Sequence, residues 1–462
     1  MKKLFLLIIA PFALLAQHEA DNWYFGYNAG ISFSSGSPVA LMNGALTSDE
    51  GCSSISDSAG NLLFYTNGEK VWDRNHQLMP NGTGLYGQNS STQSCLIVKR
   101  PGWTGRYFIF TTDIFFAFLP DNGFCYSEVD MSLNGGFGDI ISTSKNINLI
   151  PDSVTEKLCG VRSANGIDVW VLVHTLNTNS FFAYLVTPSG VAISPIISNV
   201  GTFIGVFGHG GQMKFSLSGN RLALANDTNS FELLDFDDLT GIVSNPLVLT
   251  DSDYHLAYGV EFSPDDSRLY VSNFDVLNDS IYQYNLFAGS DSLIIASKLS
   301  LGSINAPNYI GQLQLAPDGK IYIVKSLSKL SIINNPNNLG LSCNLVINGV
   351  TIISPGENTD GLPNFVSSYL VSTGINEIKD ENEFAIFYNA ISNSLTYSFT
   401  KGKSGSLSLE LFDITGRSVL HKELVYENNS GMITLPKLNQ GIYFANVFNK
   451  EFNFTKKIII TK

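Results

Sequence analysis

The few side chains that could take part in acid–base chemistry lie just before alternating apolar segments of the chain. His209 lies in FGHGGQMKF and His255 lies in YHLAYGVEF. Glu156 and Lys157 hold the equivalent place before an earlier segment, CGVRSANGIDVWVLV. A base, an acid and a cation that meet at one surface can bind a polar ligand or act on it. We therefore expect these four residues to face one ligand-binding cleft, with hydrogen-bonded structural histidines as the alternative.

The sequence lacks the motifs that usually accompany nucleophilic or metal-assisted catalysis. It has six histidines, no GxSxG and no HExxH. Asp-rich turns such as SPDDS lack the alternating oxygen ligands of a calcium loop. We accordingly predict no catalytic residue, no metal site and no cofactor.

The segments that must position these side chains form an internal repeat. Four copies share an alternating strand, a turn rich in Ser, Pro, Asp and Gly, and a second alternating strand: ISDSAGNLLFYT, MKFSLSGNRLALA, VEFSPDDSRLYVS and LQLAPDGKIYIV. Residues 95–110 and 159–173 are degenerate copies. Turns of this composition supply the backbone geometry of tight hairpins. Further strand-like segments follow, which gives about four antiparallel strands in each unit.

Units of this kind, spaced roughly fifty residues apart, are typical of an all-β fold, the β-propeller, in which blades surround a channel. Six units are clear. We expect a seventh blade built from both ends of the repeat, with residues 23–35 supplying its start and residues 362–370 its close. We favour seven blades, with six or eight as alternatives. The loops that enter the innermost strands would then lie at the channel mouth.

Composition and charge argue against a disordered protein and against a nucleic-acid-binding protein. The chain has 462 residues, of which 44% are hydrophobic and only 15% are charged, so broad disorder is not expected. The formal net charge of −13 would repel a phosphate backbone, so no nucleic-acid partner is expected. The five cysteines include no CxxC pair; we favour buried thiols, with one disulfide as the alternative.

The N-terminus has the pattern of a secretory signal peptide. Residues 1–16, MKKLFLLIIAPFALLA, combine two lysines, an apolar stretch and a small residue at the expected cleavage point. The stretch is too short for a stable membrane span, and no later segment is long and apolar enough for one. We expect the mature chain to begin near Gln17.

Residues 22–370 resemble a propeller family of Bacteroidetes surface proteins. The phrases that carry the resemblance include NWYFGYNAGISFSSGSPVALMNGAL, EGCSSISDSAGNLLFYTNGEKVWDRNHQLMPNGTGL, SSTQSCLIVKRPG and GLPNFVSSYL. In that family the propeller usually precedes gliding-motility-type or sorting domains. The resemblance implies a surface protein and assigns no activity to particular residues.

The last eighty or so residues resemble the type A sorting domain of the type IX secretion system. LFDITGRSV, LPKLNQGIYFANV and the terminal KKIIITK carry the likeness, although Asn389-Ala390 stands where the family usually has Asn-Pro. The resemblance implies recognition by the outer-membrane translocon, then cleavage and attachment to surface lipopolysaccharide, or release. An ordinary accessory β-sandwich is the alternative. The sorting-signal residues to which the resemblance points are Gly416, Gly441, Tyr443, Lys456 and Lys457.

The expected layout is a signal peptide (1–16), a β-propeller (17–370), a linker (371–382) and a small sorting β-sandwich (383–462). Such a protein would be secreted or attached to the outer surface by way of the periplasm. Its propeller is expected to bind a glycan or a protein ligand. The alternatives are a propeller-type polysaccharide lyase or hydrolase with its site at the channel mouth, and a structural component of gliding or adhesion machinery.

Overall fold

The structure is a computed structural model, and the chain divides into two compact units, Met1–Thr373 and Gly374–Lys462. Each unit is described by itself. The described residues are 18–113, 121–226, 230–250, 256–274, 279–304, 310–326, 328–352, 356–370, 384–389, 394–399, 406–413, 416–425, 430–436, 438, 441–448 and 453–460. The predicted signal peptide (1–16) and linker (371–382) lie outside them.

The described part of the first unit contains seven antiparallel sheets, numbered here in chain order. Sheet 1 consists of β1 (Asn22–Phe25), β2 (Ala29–Ser32) and β3 (Val39–Leu41), and sheet 2 of β4 (Ser53–Ser56), β5 (Leu62–Thr66), β6 (Lys70–Asp73) and β7 (Leu78–Thr83). Sheet 3 consists of β8 (Cys95–Lys99), β9 (Arg106–Thr112), β10 (Phe124–Asp130), β11 (Asp139–Ile140) and β12 (Ile147–Ile150). Sheet 4 consists of β13 (Val154–Arg162), β14 (Val169–Thr175), β15 (Thr178–Thr187), β16 (Gly190–Val191) and β17 (Ile196–Ile204).

The last three of these sheets have four strands each. Sheet 5 consists of β18 (Met213–Phe215), β19 (Arg221–Ala225), β20 (Ser230–Asp237) and β21 (Ile242–Thr250). Sheet 6 consists of β22 (Leu256–Phe262), β23 (Arg268–Phe274), β24 (Asp279–Asn285) and β25 (Leu299–Ile304), and sheet 7 of β26 (Leu313–Leu315), β27 (Ile321–Ser326), β28 (Lys329–Ile333) and β29 (Leu345–Thr351). One short α-helix, α1 (Asp291–Ala296), occurs in the described residues, together with 3₁₀ turns at Asn134–Gly136, Ser142–Ser144, Gly340–Cys343 and Ser367–Tyr369.

The turns predicted from the repeats close the first hairpin of each sheet through short side chains. Between β4 and β5, the Asp57 carboxylate accepts the backbone N–H groups of Ala59 and Asn61, each at 2.9 Å. In the corresponding turn of sheet 6, Asp266 adopts φ 58°, a left-handed conformation that aspartate tolerates better than most residues. The Ser, Pro, Asp and Gly of these segments therefore serve turn geometry.

The first strands of successive sheets contact one another in chain order, from β1 to β4 and so on to β26. Sheet 7 also contacts sheet 1, because the ring of Tyr322 on β27 lies 5.7 Å from that of Trp23 on β1. Both aromatic side chains are fully buried. Burial of large aromatic surfaces is the main source of stability in such a core. The five cysteines are free and buried, as predicted from the sequence.

Residues 362–370 were predicted to complete sheet 1, but they lie elsewhere. In the described residues sheet 1 has three strands and none of them comes from this segment. Instead Pro363 bridges to Cys52 and Val366 bridges to Gly160, residues on or next to the first strands of sheets 2 and 4. The segment is also tied to sheet 3, because the Asn364 side-chain NH₂ donates to the carbonyl of Cys95 at 3.3 Å. We call residues 357–370 the closing segment.

The described part of the second unit contains a three-stranded and a four-stranded antiparallel sheet. The first contains β30 (Phe384–Asn389), β31 (Ser394–Phe399) and β34 (Ser430–Thr434). The second contains β32 (Ser406–Asp413), β33 (Ser418–Val425), β35 (Gly441–Phe448) and β36 (Asn453–Ile460). Leu395 and Ile433 of the first sheet share a buried cluster with Leu409 and Ala445 of the second. The all-β class predicted from the sequence is confirmed in both units.

Candidate functional site

Glu156 and His209, predicted to face one cleft, lie in direct contact. His209 Nδ1 is 2.8 Å from Glu156 Oε1, and the backbone N–H of Glu156 donates to the carbonyl of His209 at 3.0 Å. Glu156 Oε2 also accepts the backbone N–H and the hydroxyl of Thr92, at 2.8 and 2.7 Å. The Glu156 carboxylate therefore joins the loop before β8 to the loop before β18. Glu156 itself lies on β13, the first strand of the sheet between those two sheets in chain order.

Lys157 points away from solvent and holds the loop that carries His209. The residue is 0% exposed, and its Nζ donates to the carbonyls of Gly208 at 3.1 Å, His209 at 3.2 Å and Gly211 at 3.4 Å. It also donates to the carbonyl of Gly210. An ammonium group has three N–H donors and no acceptor, so a ring of carbonyls satisfies it. In this structure Lys157 is buried and anchors the loop.

His255 lies outside the described residues. The shared cleft of His209 and His255 therefore stays a prediction. The nearest described part of the same segment is the start of β22, where Tyr258 lies close to the groups around Glu156.

A second carboxylate in this region, Glu50, was not singled out from the sequence. The Tyr258 hydroxyl donates to Glu50 Oε2. Burial, followed by repulsion from the Glu156 carboxylate, raises the pKa of Glu50 from 4.5 to about 8. Glu50 therefore holds a proton at neutral pH. The only signal in the sequence was the position of Glu50 in EGC, just before β4.

Five carboxylates lie around this end of the first strands, and we call them the acidic rim: Asp49, Glu50, Glu156, Glu357 and Asp360. The backbone N–H of Asp360 donates to the carbonyl of Asp49 at 2.9 Å, and the N–H of Glu357 donates to the carbonyl of Tyr27 at 2.9 Å. The Tyr27 hydroxyl donates to Asp49. Burial and repulsion from Asp49 raise the pKa of Asp360. The rim thus brings carboxyl groups close enough to raise one another's pKa.

Three exposed apolar residues lie in the segment that leads to His209, and we call them the apolar ridge: Phe203, Val206 and Phe207. Phe203 is 64% exposed and Phe207 is 85% exposed, in the segment that runs from the end of β17 to His209. Large aromatic side chains with this exposure are uncommon outside interaction surfaces when they cluster. None of the three was predicted from the sequence.

Three buried glutamines bind the first strands together, and they too were missed. Gln212 Oε1 accepts the backbone N–H of Leu313 at 2.9 Å and its Nε2 donates to the Leu313 carbonyl at 3.1 Å. Gln312 Oε1 accepts the N–H of Leu362 at 2.9 Å. The third, Gln93, makes the same pair of contacts with Met213. Each glutamine precedes a first strand by one or two residues, a recurrence in TQSC, GQMK and GQLQ that could have been noticed.

A separate buried ion pair lies further along the first strands. Lys214 Nζ is 3.8 Å from Glu261 Oε2 and also donates to Gln314. The backbone N–H of Leu315 donates to Glu261 Oε2 at 2.9 Å. Burial lowers the pKa of Lys214 and raises that of Glu261. Because these groups satisfy one another, we assign them to the stability of the core.

In the part of the chain that the structure describes, no group of three or more His, Cys, Asp or Glu side chains could hold a metal ion. The described helices include none that is long and apolar enough to cross a membrane.

The sorting-signal residues fall at defined places in the second unit. Gly416 adopts φ 78° in the turn after β32, where its N–H donates to the Asp413 carbonyl at 3.0 Å. Gly441 begins β35, and Tyr443 two residues later is 7% exposed and belongs to the core. Lys456 and Lys457 lie on β36, opposite Ala445 and Phe444 of β35.

Residues 385–461 match the family model of the secretion system C-terminal sorting domain. The second unit is a sorting domain. The type IX assignment made from LFDITGRSV, LPKLNQGIYFANV and KKIIITK is thereby supported, and the protein is one that this system directs out of the cell or to the outer surface.

The remaining comparisons concern the fold. No curated protein matches the chain significantly. A putative 6-phosphogluconolactonase from Bacteroides uniformis is 13% identical, with a TM-score of 0.44 over 74% of this chain and 98% of that one. Hydrazine synthase of Kuenenia stuttgartiensis is 12% identical, with a TM-score of 0.42 over 76% of this chain and 92% of that one. Likenesses of this size carry no inference about activity.

Proposed function

We propose that the chain is an exported binding protein, in which a seven-bladed propeller presents a ligand-binding face and the sorting domain delivers it. The seven sheets of the first unit would be the blades, and their first strands would line the channel. The proposal of seven blades, rather than six or eight, is supported by the order of the sheets and by the Trp23–Tyr322 contact between the last and the first. The signal peptide of residues 1–16 would start export through the periplasm.

The observation that carries the binding function is the apolar ridge beside the acidic rim. Phe207 is 85% exposed, although its loop is held by Lys157 and by Glu156. A fixed loop that keeps a large aromatic side chain in solvent loses little conformational freedom when a ligand covers that side chain. Most other polar groups at this end hydrogen-bond to the protein itself, as the Gln93, Gln212 and Gln312 contacts illustrate. The ligand would be a glycan or a protein of the cell surface or its surroundings.

The test uses the purified mature chain and a panel of polysaccharides, cell-envelope fractions and protease-treated envelope fractions. Retention on each material and release of soluble product are measured in the same tubes. We expect retention without product, and we expect Phe207→Ser to reduce it. Phe287→Ser is the matched control, because Phe287 is 68% exposed and lies beyond β24, at the other ends of the strands. Equal retention of the mature chain, the Phe207→Ser variant and the Phe287→Ser variant would contradict the proposal.

One observation favours a second candidate, a polysaccharide hydrolase or lyase. Glu50, whose pKa is raised by burial and by repulsion from Glu156, lies at the same rim as Glu156, and a carboxyl group with a raised pKa can serve as a general acid. The same tubes decide between the functions. Product that disappears with Glu50→Gln or His209→Ala would replace the binding function by an enzymatic one.

A further inference from the structure

We propose that His174 is an acid-sensitive switch, and that its protonation releases the loop that presents Phe207. The inference rests on the proposed binding function and adds its regulation by pH. A ligand held by the apolar ridge at neutral pH would be released in an acidic environment. Two features support the switch: the surroundings of the His174 ring, and the links from that ring to residues 205–212 (GVFGHGGQ), which we call the glycine-rich loop.

The His174 ring lies in the core without a polar partner. The residue is 0% exposed, and among the described residues neither Nδ1 nor Nε2 has a hydrogen-bond partner. The ring packs edge-on against that of Phe181, with 4.7 Å between the centroids. Even a neutral imidazole carries one N–H donor, so the folded state leaves a buried polar group unsatisfied. Opening of this region would remove that cost.

A cation would be placed in unfavourable surroundings at this position. Burial, followed by repulsion from the Lys157 ammonium, lowers the pKa of His174 from 6.5 to about 3. The backbone of Thr175 acts in the opposite direction, but it makes no hydrogen bond with the ring. A proton on His174 would therefore put a second buried cation beside Lys157.

The other ionisable side chains around the ring offer it no anion. Those that face this region from the neighbouring elements are Cys159 and Glu156 on β13, His209 in the glycine-rich loop and Glu232 on β20. Glu156 and His209 contact each other, and Glu232 accepts the backbone N–H and the hydroxyl of Thr202 at 3.1 and 3.3 Å. Burial raises the pKa of the Cys159 thiol, which keeps it neutral. Strands β15 and β17 carry no acidic or basic residue.

The end of β14 that carries His174 is linked to the glycine-rich loop in two ways. The Thr155 hydroxyl donates to the His174 carbonyl at 3.0 Å and accepts the N–H of Lys157 at 3.4 Å, and Lys157 Nζ binds the carbonyls of the loop. In the turn after β14, the backbone N–H of Asn177 donates to the carbonyl of Ile204, just before the loop, at 2.8 Å. Opening of β14 at this end would therefore loosen both links.

Opening at the His174 end of β14 should be favoured by acid. Below pH 6.5 an exposed imidazole takes up a proton that the buried ring does not bind until about pH 3, so opened forms gain stability as the pH falls. From pH 7.5 to pH 5.0 the equilibrium constant for opening should rise by about thirtyfold. The ridge would then lose the fixed loop on which its affinity depends.

Hydrogen–deuterium exchange of the mature full-length chain at pH 5.0 and pH 7.5, corrected for the intrinsic effect of pH, tests the switch without a ligand. We expect protection across residues 172–178 and 205–212 to fall by about thirtyfold at pH 5.0. His174→Phe keeps an aromatic ring against Phe181 and should abolish the difference. His421→Gln is the control, because His421 lies in the second unit with a side chain that is 55% exposed, and it should retain the difference.

An NMR titration of the wild-type chain with labelled histidine rings gives a readout that needs no variant. We expect one ring to remain neutral at pH 4.0. A titration in which every ring is charged at pH 4.0, or a pH response of exchange that persists in His174→Phe, would overturn the switch.

Retention on the envelope fractions at both pH values separates the switch from the binding function. Retention at pH 7.5 that falls at pH 5.0 in the wild type but not in His174→Phe supports both. Equal wild-type retention at the two pH values overturns the regulation and leaves the binding function standing. Absence of retention at either pH, with exchange that still depends on pH through His174, removes the binding function and supports the switch in the loop.

Discussion

The side-chain amide of Gln93 forms a pair of hydrogen bonds with the backbone of Met213, accepting its N–H at 2.7 Å and donating to its carbonyl at 3.1 Å. Gln93 precedes the first strand of sheet 3, and Met213 begins the first strand of sheet 5. The contact therefore passes over sheet 4 and ties together strands that are separated by 120 residues in sequence. Gln212 makes the same pair of contacts from sheet 5 to Leu313 of sheet 7.

Gln93→Ala should destabilise the first unit by roughly 2–4 kcal/mol, because it leaves buried backbone groups of Met213 without partners and opens a small cavity. Urea denaturation followed by tryptophan fluorescence measures the change. Gln77→Ala is the control, since Gln77 is exposed and should change the free energy of unfolding by less than about 0.5 kcal/mol. Similar midpoints for both variants would refute the role of the glutamine.

Asn364→Ala should weaken the attachment of the closing segment. The Asn364 side chain donates to the carbonyls of Leu158 at 2.8 Å and Cys95 at 3.3 Å, and the Asn364 carbonyl accepts the Ser53 hydroxyl at 2.7 Å. We expect a loss of roughly 2–3 kcal/mol and faster proteolysis between residues 357 and 373. The exposed Asn75→Ala serves as the control. An unchanged cleavage pattern would mean that the segment is held by other contacts.

Lys157→Met should release the glycine-rich loop, because four carbonyls lose their shared donor. We expect faster hydrogen exchange across residues 205–212 and a lower affinity for whatever ligand the ridge binds. Lys70→Met is the comparison, since Lys70 is exposed at the start of β6. If both variants exchange at the wild-type rate in this loop, Lys157 does not hold it.

The protonation of Glu50 should make stability depend on pH in a defined direction. Burial raises its pKa to about 8 in the folded chain, against 4.5 for the ordinary group. Between these values the folded state keeps a proton that the unfolded state has lost, so the free energy of unfolding falls as pH rises from about 4.5 to about 8. Glu50→Gln should flatten this decline and stabilise the protein at pH 9.

Thermal midpoints measured from pH 4 to pH 9 test the Glu50 prediction. The exposed Glu357→Gln belongs to the same rim and should leave the slope largely unchanged. A wild-type slope retained in Glu50→Gln would show that another group titrates in this range.

The repeated hairpins were predictable because the alternating residues and the turn residues of each hairpin lie close together in the sequence. The alternation in VEFSPDDSRLYVS sets the two faces of β22 and β23, and the Pro and Asp residues fit the turn between them. Local position also led us to expect Glu156 and His209 at one cleft, but their direct contact was not predicted. Such information resides within a dozen residues of sequence.

Contacts between distant segments were not predictable in the same way. Gln93 and Gln212 look like ordinary polar residues until their backbone partners, about a hundred residues away, are known. Lys157 was expected to face a ligand. The groups that it binds are backbone carbonyls of a loop without acidic residues, and no charge pattern in the sequence indicates them. The apolar pattern of LPNFVSSYL suggested a strand of sheet 1, whereas Asn364 in its middle is satisfied only between the first strands of sheets 2, 3 and 4.

The most direct test of the account is whether the sorting domain delivers the first unit to the outside of the cell. The full chain and a chain ending at Thr373 are produced in a bacterium that has a type IX secretion system. Antibody labelling of whole cells and fractionation then measure the first unit at the surface, in the medium and in the periplasm. We predict the full chain at the surface or in the medium and the shortened chain in the periplasm. The same distribution for both chains would contradict the account.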